Sequence, residues 1–117
     1  EPHGFSFLEY ARREGDFAIV AVAVLLAITT NVIGKASIVL GGVDAGPLRL
    51  SEVENLIIGQ SPGPELFKHA GELAKKIDAM SDVHFSKDYR KRLSGALTER
   101  ALHDAVKQFE GVNERNE

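Results

Sequence analysis

Residues 17–28, from Phe17 to Ile28, read FAIVAVAVLLAI, an unbroken apolar run. A membrane-spanning helix needs about 20 such residues, so this run is an internal element. Read as a strand, it has two faces, because successive side chains point to opposite sides of a sheet. Val20, Val22, Val24, Leu26 and Ile28 make one face, and Phe17, Ile19, Ala21, Ala23, Leu25 and Ala27 the other. One face is bulky and the other mostly small. An antiparallel sheet in a small domain buries one face and leaves the other to water. An apolar second face therefore calls for something packed on it, either a helix of this chain or a partner domain.

Working outward, Thr29-Thr30-Asn31 reads as a hairpin turn, since Asn tolerates the left-handed backbone. A second strand is expected over Lys35 to Val43, ended or bulged by Gly41-Gly42. Asp44-Ala45-Gly46-Pro47 forms a turn, and Leu48-Arg49-Leu50 suits a short third strand. Connections this short imply antiparallel pairing. Upstream, Phe7, Leu8 and Tyr10-Ala11 give an approximate helical stripe over Phe5 to Arg13, with Glu9 early, Arg12 and Arg13 late, and Gly15 as the stop.

The remainder reads as helical. Ser51-Glu52-Val53-Glu54 has the spacing of a capping box and opens a helix through Val53, Leu56 and Ile57 that stops at Gly59. Arg49 can pair with Glu52 or Glu54. Pro64 fits a first helical position, followed by Leu66, Phe67, Ala70, Leu73, Ala74 and Ile77 at helical spacing. Ser86 can cap a last helix reaching about Glu110, with Tyr89 inward and Arg90 on the surface. Strands grouped together and helices grouped together define an α+β fold: a three-stranded antiparallel sheet with helices packed on it. The domain is expected over 1–111, with 112–117 a frayed tail.

The chain has 117 residues, 44% hydrophobic and 26% charged, with a formal net charge of -3, which suits one domain. It shows no basic stripe with interleaved aromatics, so nucleic acid is not an expected partner. With no cysteine it holds no disulfide, thiolate metal site, cysteine nucleophile or cysteine-bound iron–sulfur cluster. It begins at Glu1 and its one methionine is Met80, so a longer parent polypeptide, or processing, is expected.

Most isolated polar motifs have ordinary explanations. Ile33-Gly34-Lys35-Ala36-Ser37 lacks the glycine of a phosphate loop, Thr29 standing in its place, and leads into a strand. Gly41-Gly42 and Gly46-Pro47 lack dinucleotide spacing. His3, His69, His84 and His103 include no pair four apart on a helix, and surface positions are expected for His69 and His103. No catalytic or metal site is read from these residues. Arg12-Arg13 before Gly15-Asp16 is the polar cluster that stands out; by itself it describes a helix end with cations at the carboxyl terminus.

Read together and in order, however, these clusters carry a family resemblance. Residues 7–20, FLEYARREGDFAIV, then Gly41-Gly42-Val43, Pro47-Leu48-Arg49, Glu52-Val53-Glu54 and Gly59, then residues 82–93, DVHFSKDYRKRL, and Arg100-Ala101-Leu102 form three blocks between about Gly4 and Ala105. They resemble the C-terminal domain of the FAD-binding medium subunit of molybdenum hydroxylases, the carbon monoxide and xanthine dehydrogenase family. The resemblance implies a module that packs on a preceding FAD-binding domain, closes part of the flavin site, and is not catalytic alone. It implies that Arg12, Arg13 and Asp16 lie near the isoalloxazine ring. It further implies a molybdopterin large subunit, an iron–sulfur small subunit and a cytoplasmic location. A different class of reading is a stand-alone interaction domain, dimerising through the alanine-rich sheet face.

Overall fold

A computed structural model describes residues 3–10, 20–41, 47–76 and 87–115. The valine face of the long apolar run is the floor of the core, with Val20, Val22, Val24 and Leu26 each at most 1% exposed. The run forms β2 (Val20–Thr29), flanked by β1 (His3–Tyr10) and β3 (Val32–Gly41), with a two-residue β4 (Leu48–Arg49) beyond. The sheet is antiparallel throughout, in the order β1-β2-β3-β4. Thr30 and Asn31 make the β2–β3 turn with φ of 55° and 59°. Positive φ at both central residues matches the twist of a tight hairpin. β3 begins at Val32, three residues before the expected Lys35, because Ile33 pairs with Ile28 across a register shift and is fully buried. Phe17–Ile19 and Gly42–Val43 lie outside the described residues.

The expected helix over Phe5 to Arg13 is overturned. Its described part is strand β1, so the sheet has four strands among the described residues and not three. Gly4 and Ser6 are buried against the helices, whereas Phe5 and Phe7 are 56% and 53% exposed on the other face. Inward, Gly4 and Ser6 are small and Leu8 packs on the core, whereas the outward Phe5 and Phe7 are aromatic, so the usual contrast between apolar-in and polar-out is missing. Small inward side chains are needed because a helix crosses here. A Cβ on Gly4 would stand 2.1 Å from the Ala105 carbonyl oxygen.

Three helices cover the inner face: α1 (Ser51–Ile57), α2 (Pro64–Ala74) and α3 (Lys87–Arg115). α3 packs on β1 and β2, α1 on β3, and α2 between the other two helices. Val53, Ile57, Phe67, Leu97, Ala101, Leu102 and Ala105 meet the sheet's Val22, Leu26, Ile38 and Leu40 in one core. The α2–α3 contact is also close, though less so than that of β1 and α3. A Cβ on Gly71 would lie 2.8 Å from the Gly95 carbonyl oxygen, and one on Gly95 would lie 2.7 Å from that of Gly71. Pro64 opens α2 as expected, and Gly59, at φ +89°, turns the chain after α1. Two other expectations fail. The capping box does not form, since Leu50 precedes α1 with no side-chain cap. Arg90 is buried, not on the surface, at 6% exposure.

These contacts separate glycines that packing requires from one that it does not. Gly4→Ala is expected to lower the unfolding free energy by about 1–3 kcal/mol through overpacking against helix backbone. Gly34→Ala, whose Cβ would meet nothing nearer than 3.8 Å, should stay within about 0.5 kcal/mol of the parent. Urea denaturation of the two variants side by side checks this.

Candidate functional site

The sheet has two ends. The Thr30-Asn31 turn closes one. At the other, Tyr10 pairs with Val20, Ala21 with Gly41 and Leu40 with Leu48. The chain therefore leaves and re-enters the sheet twice at this second end, through residues 11–19 and through 42–46. Arg12, Arg13 and Asp16 belong to the first of these connections and lie outside the described residues. What the structure establishes is the sheet end that their segment joins.

Beside this end sits a buried carboxylate. Glu54, 5% exposed, takes the Ile38 N–H on Oε2 at 2.9 Å and the Arg49 Nε–H on both oxygens at 2.9 and 3.0 Å. The backbone explains why it is needed. Leu50 donates its N–H to the Ile38 carbonyl as a strand residue would, at 2.8 Å, but its own carbonyl accepts the Glu54 N–H at the start of α1. Ile38 thus loses its strand acceptor where β4 turns into helix, and the Glu54 side chain replaces it. Arg49 stays 62% exposed, and the hydrogen bond and charge of Glu54 raise its pKa above the ordinary guanidinium value. Of the two pairings left open by the sequence, the one with Glu54 forms.

The outer face of the sheet is the second feature. Register places Phe5, Leu25 and Ser37 in one row, and Phe7, Ala23, Val39 and Arg49 in the next. Leu25 is 44% exposed, beside the two exposed phenylalanines. The described helices all lie on the opposite face. The sequence signalled this surface through the second apolar face of residues 17–28. It did not signal Phe5 and Phe7, which a helical reading scattered.

Other chemistry is sparse. His69 and His103 are exposed, as expected, and His103 stands edge-on to Phe67 at 5.0 Å between ring centres. A groove of about 540 Å³ near the Thr30-Asn31 end runs between Ile28, Phe67, Val106 and Phe109. Among the described residues no three His, Asp or Glu side chains cluster as metal ligands, and no helix is long and apolar enough to cross a membrane.

An antiparallel sheet covered on one face by three helices, with two connections at one end, is the architecture of a known flavoprotein module. Residues 5–105 match the CO dehydrogenase flavoprotein C-terminal domain, and the chain belongs to that family. The nicotine 6-hydroxylase medium subunit of Paenarthrobacter nicotinovorans is 33% identical over 105 residues, which cover 89% of this chain and 37% of that subunit. The carbon monoxide dehydrogenase medium chain of Afipia carboxidovorans is 31% identical over 104 residues, covering 88% and 36%. The crystal structure of quinoline 2-oxidoreductase from Pseudomonas putida 86 superposes with a TM-score of 0.81 at 31% identity, over 93% of this chain and 38% of the matched one. The chain thus spans little more than a third of the relatives that it matches.

The Glu54 network gives an ordered set of outcomes. Glu54→Ala leaves a buried N–H without an acceptor and is expected to cost about 1–3 kcal/mol. Glu54→Gln keeps an acceptor oxygen and should cost less. Arg49→Ala should also cost less than Glu54→Ala, because the guanidinium is largely solvated. Chemical denaturation of the three variants would contradict this account if Arg49→Ala proved the most damaging.

Proposed function

We propose that this chain is the C-terminal module of the FAD-containing subunit of a molybdopterin-dependent oxidoreductase. In this reading it packs on the FAD-binding domain of the same subunit and helps close the flavin site for electron transfer. The observation that carries the reading is the family match over residues 5–105, together with relatives that are medium subunits almost three times as long. The parent assembly would include a molybdopterin large subunit and an iron–sulfur small subunit, in the cytoplasm. Substrate chemistry would belong to the large subunit, and no residue of this chain is assigned a catalytic role.

The described residues fit a bordering role better than a full cofactor site. Gly34 and Lys35 lie within strand β3, not in a phosphate-cradling turn. What this chain offers a flavin is the 11–19 segment, joined to the sheet end at Tyr10 and Val20. FAD, when bound, supplies the electron storage. A nearby cation raises a flavin's reduction potential and a carboxylate lowers it. Arg12 or Arg13 would be the tuning cation and Asp16 an orienting anion. The short Glu54-held β4 would keep the neighbouring 42–46 connection at the same end.

Two measurements test the reading. The native polypeptide carrying this sequence should have an intact mass more than double the 12.7 kDa of these residues and should retain FAD. A native mass near 12.7 kDa without flavin would favour the stand-alone interaction domain. In the full subunit, replacing Arg12 and Arg13 with Ala should lower the flavin potential or weaken FAD retention. Potentiometric titration and flavin content after gel filtration read both, and no change in either removes these arginines from the flavin site.

A further inference from the structure

We infer that the outer sheet face, with Phe5, Phe7 and Leu25 at its centre and Arg49 at its edge, is the surface that docks the flavin-binding domain of the same subunit. The inference rests on the flavin-subunit reading and adds to it a face and a mode of contact.

The face is built for burial. Its three large exposed apolar residues are neighbours, since Phe5 pairs with Leu25 and Phe7 lies one row away on the same side. Single exposed apolar residues are common, but a contiguous group marks an interaction surface. Around them the face is low. Ala21, Ala23, Ser37 and Gly41 carry little side chain, so a partner's backbone can approach the strands closely beside the two phenyl rings. Val39 and Arg49 close the far side of the rows. Among the described residues Glu54 holds Arg49 through its Nε, an arrangement in which the outer guanidinium nitrogens can meet a carboxylate on the partner.

Docking is face-on, not by strand addition at β1. The Phe5 N–H, which points away from β2, is taken by Gln108 Oε1 at 3.0 Å, and α3 crosses the same strand at Gly4. The helix thus guards the start of the sheet edge while the face stays open.

Area decides between a tethered domain and a second copy of this chain. With strands about 4.8 Å apart and about 3.3 Å per residue, three strands over seven rows span roughly 300 Å². A stable complex between separate proteins wants about 800 Å² from each partner. Side-chain relief raises the accessible area above this flat outline, and the patch is still small for a free dimer. It can serve as the centre of contact for a domain on the same polypeptide, whose tether sets a high effective concentration. A relative in which this domain covers 37% of the chain has further polypeptide that can supply such a neighbour. The same rows run up to the Tyr10–Val20 pair, so a partner seated on this face would border the 11–19 segment.

The test uses the full subunit and two changes of different kind. Phe7→Glu puts a charge at the centre of the face, and Ala23→Trp adds bulk there without charge. Each is expected to release FAD at least tenfold faster in dilution and to speed limited proteolysis between the domains at least tenfold. Circular dichroism of the same variants in the full subunit should match the parent, which separates lost docking from lost folding. A variant that fails this control is replaced by Leu25→Ser, which is held to the same two readouts. FAD release and proteolysis both unchanged in a folded variant of a full-mass subunit would overturn the docking surface and leave the flavin-subunit reading standing. A full subunit that sediments as a dimer, and that Phe7→Glu makes monomeric with FAD release unchanged, would assign the face to a second copy instead. A native mass no greater than that of this chain would remove both readings together.

Discussion

A strand cannot become a helix without leaving a hydrogen bond unmade, and in this protein Glu54 makes it. Leu50 gives its N–H to β3 and its carbonyl to α1, so the Ile38 N–H would be stranded in the core. A carboxylate from the first turn of α1 fills that place and is in turn partly neutralised by Arg49. Below it, Gly59 donates to the Ile33 carbonyl and Gln60 accepts from the Ile33 N–H, at 2.7 and 2.9 Å. The whole α1 segment is thereby strapped along β3, closing most of an edge that β4, at two residues, is too short to cover. An uncovered edge invites pairing with other chains. On the opposite edge α3 and Gln108 do the same task for β1.

With one edge strapped, the start of the other guarded and one face under helices, the outer face is the surface that the described elements leave open. That asymmetry connects the packing to the proposed role. The family match and the fold define the CO dehydrogenase flavoprotein C-terminal domain, and under the proposed function the open face is where such a module would have apolar surface still to bury. The segment carrying Arg12, Arg13 and Asp16 belongs to the same end of the sheet as the Glu54 network. A module attached through its sheet face would therefore turn its described helices away from its neighbour.

The sequence was most legible where side-chain period and chemistry agreed. The valine alternation of residues 20–28 placed the core face correctly, Pro64 marked the start of α2, and the ordered motif blocks gave the family. It was least legible where close packing removed the contrast that pattern reading needs. β1 looked helical because Gly4 and Ser6 face the core and phenylalanines face out, and only the nearness of Ala105 explains the glycine. Glu54 fell at capping-box spacing, but a buried N–H sixteen residues earlier in sequence claimed its side chain. No local signal encodes a demand set by a tertiary neighbour. Nor could the strands alone show that Arg90 is buried, since this depends on what α3 packs against.

The contact of Gly4 with Ala105, and of Phe5 with Gln108, joins the first described strand to the last helix across about a hundred residues. Such a contact is formed late, because the chain entropy of closing so long a loop must be overcome before any reward arrives. During synthesis the amino-terminal strand emerges first. β1 can pair with β2 as soon as the hairpin is made, but its inner side has no cover until α3 is complete. For that interval both sides of an aromatic strand are open to solvent. The nascent chain thus passes through a sticky stage whose length is set by the distance from β1 to α3, and small Gly4 and Ser6 on the waiting side keep that stage as inert as the packing allows.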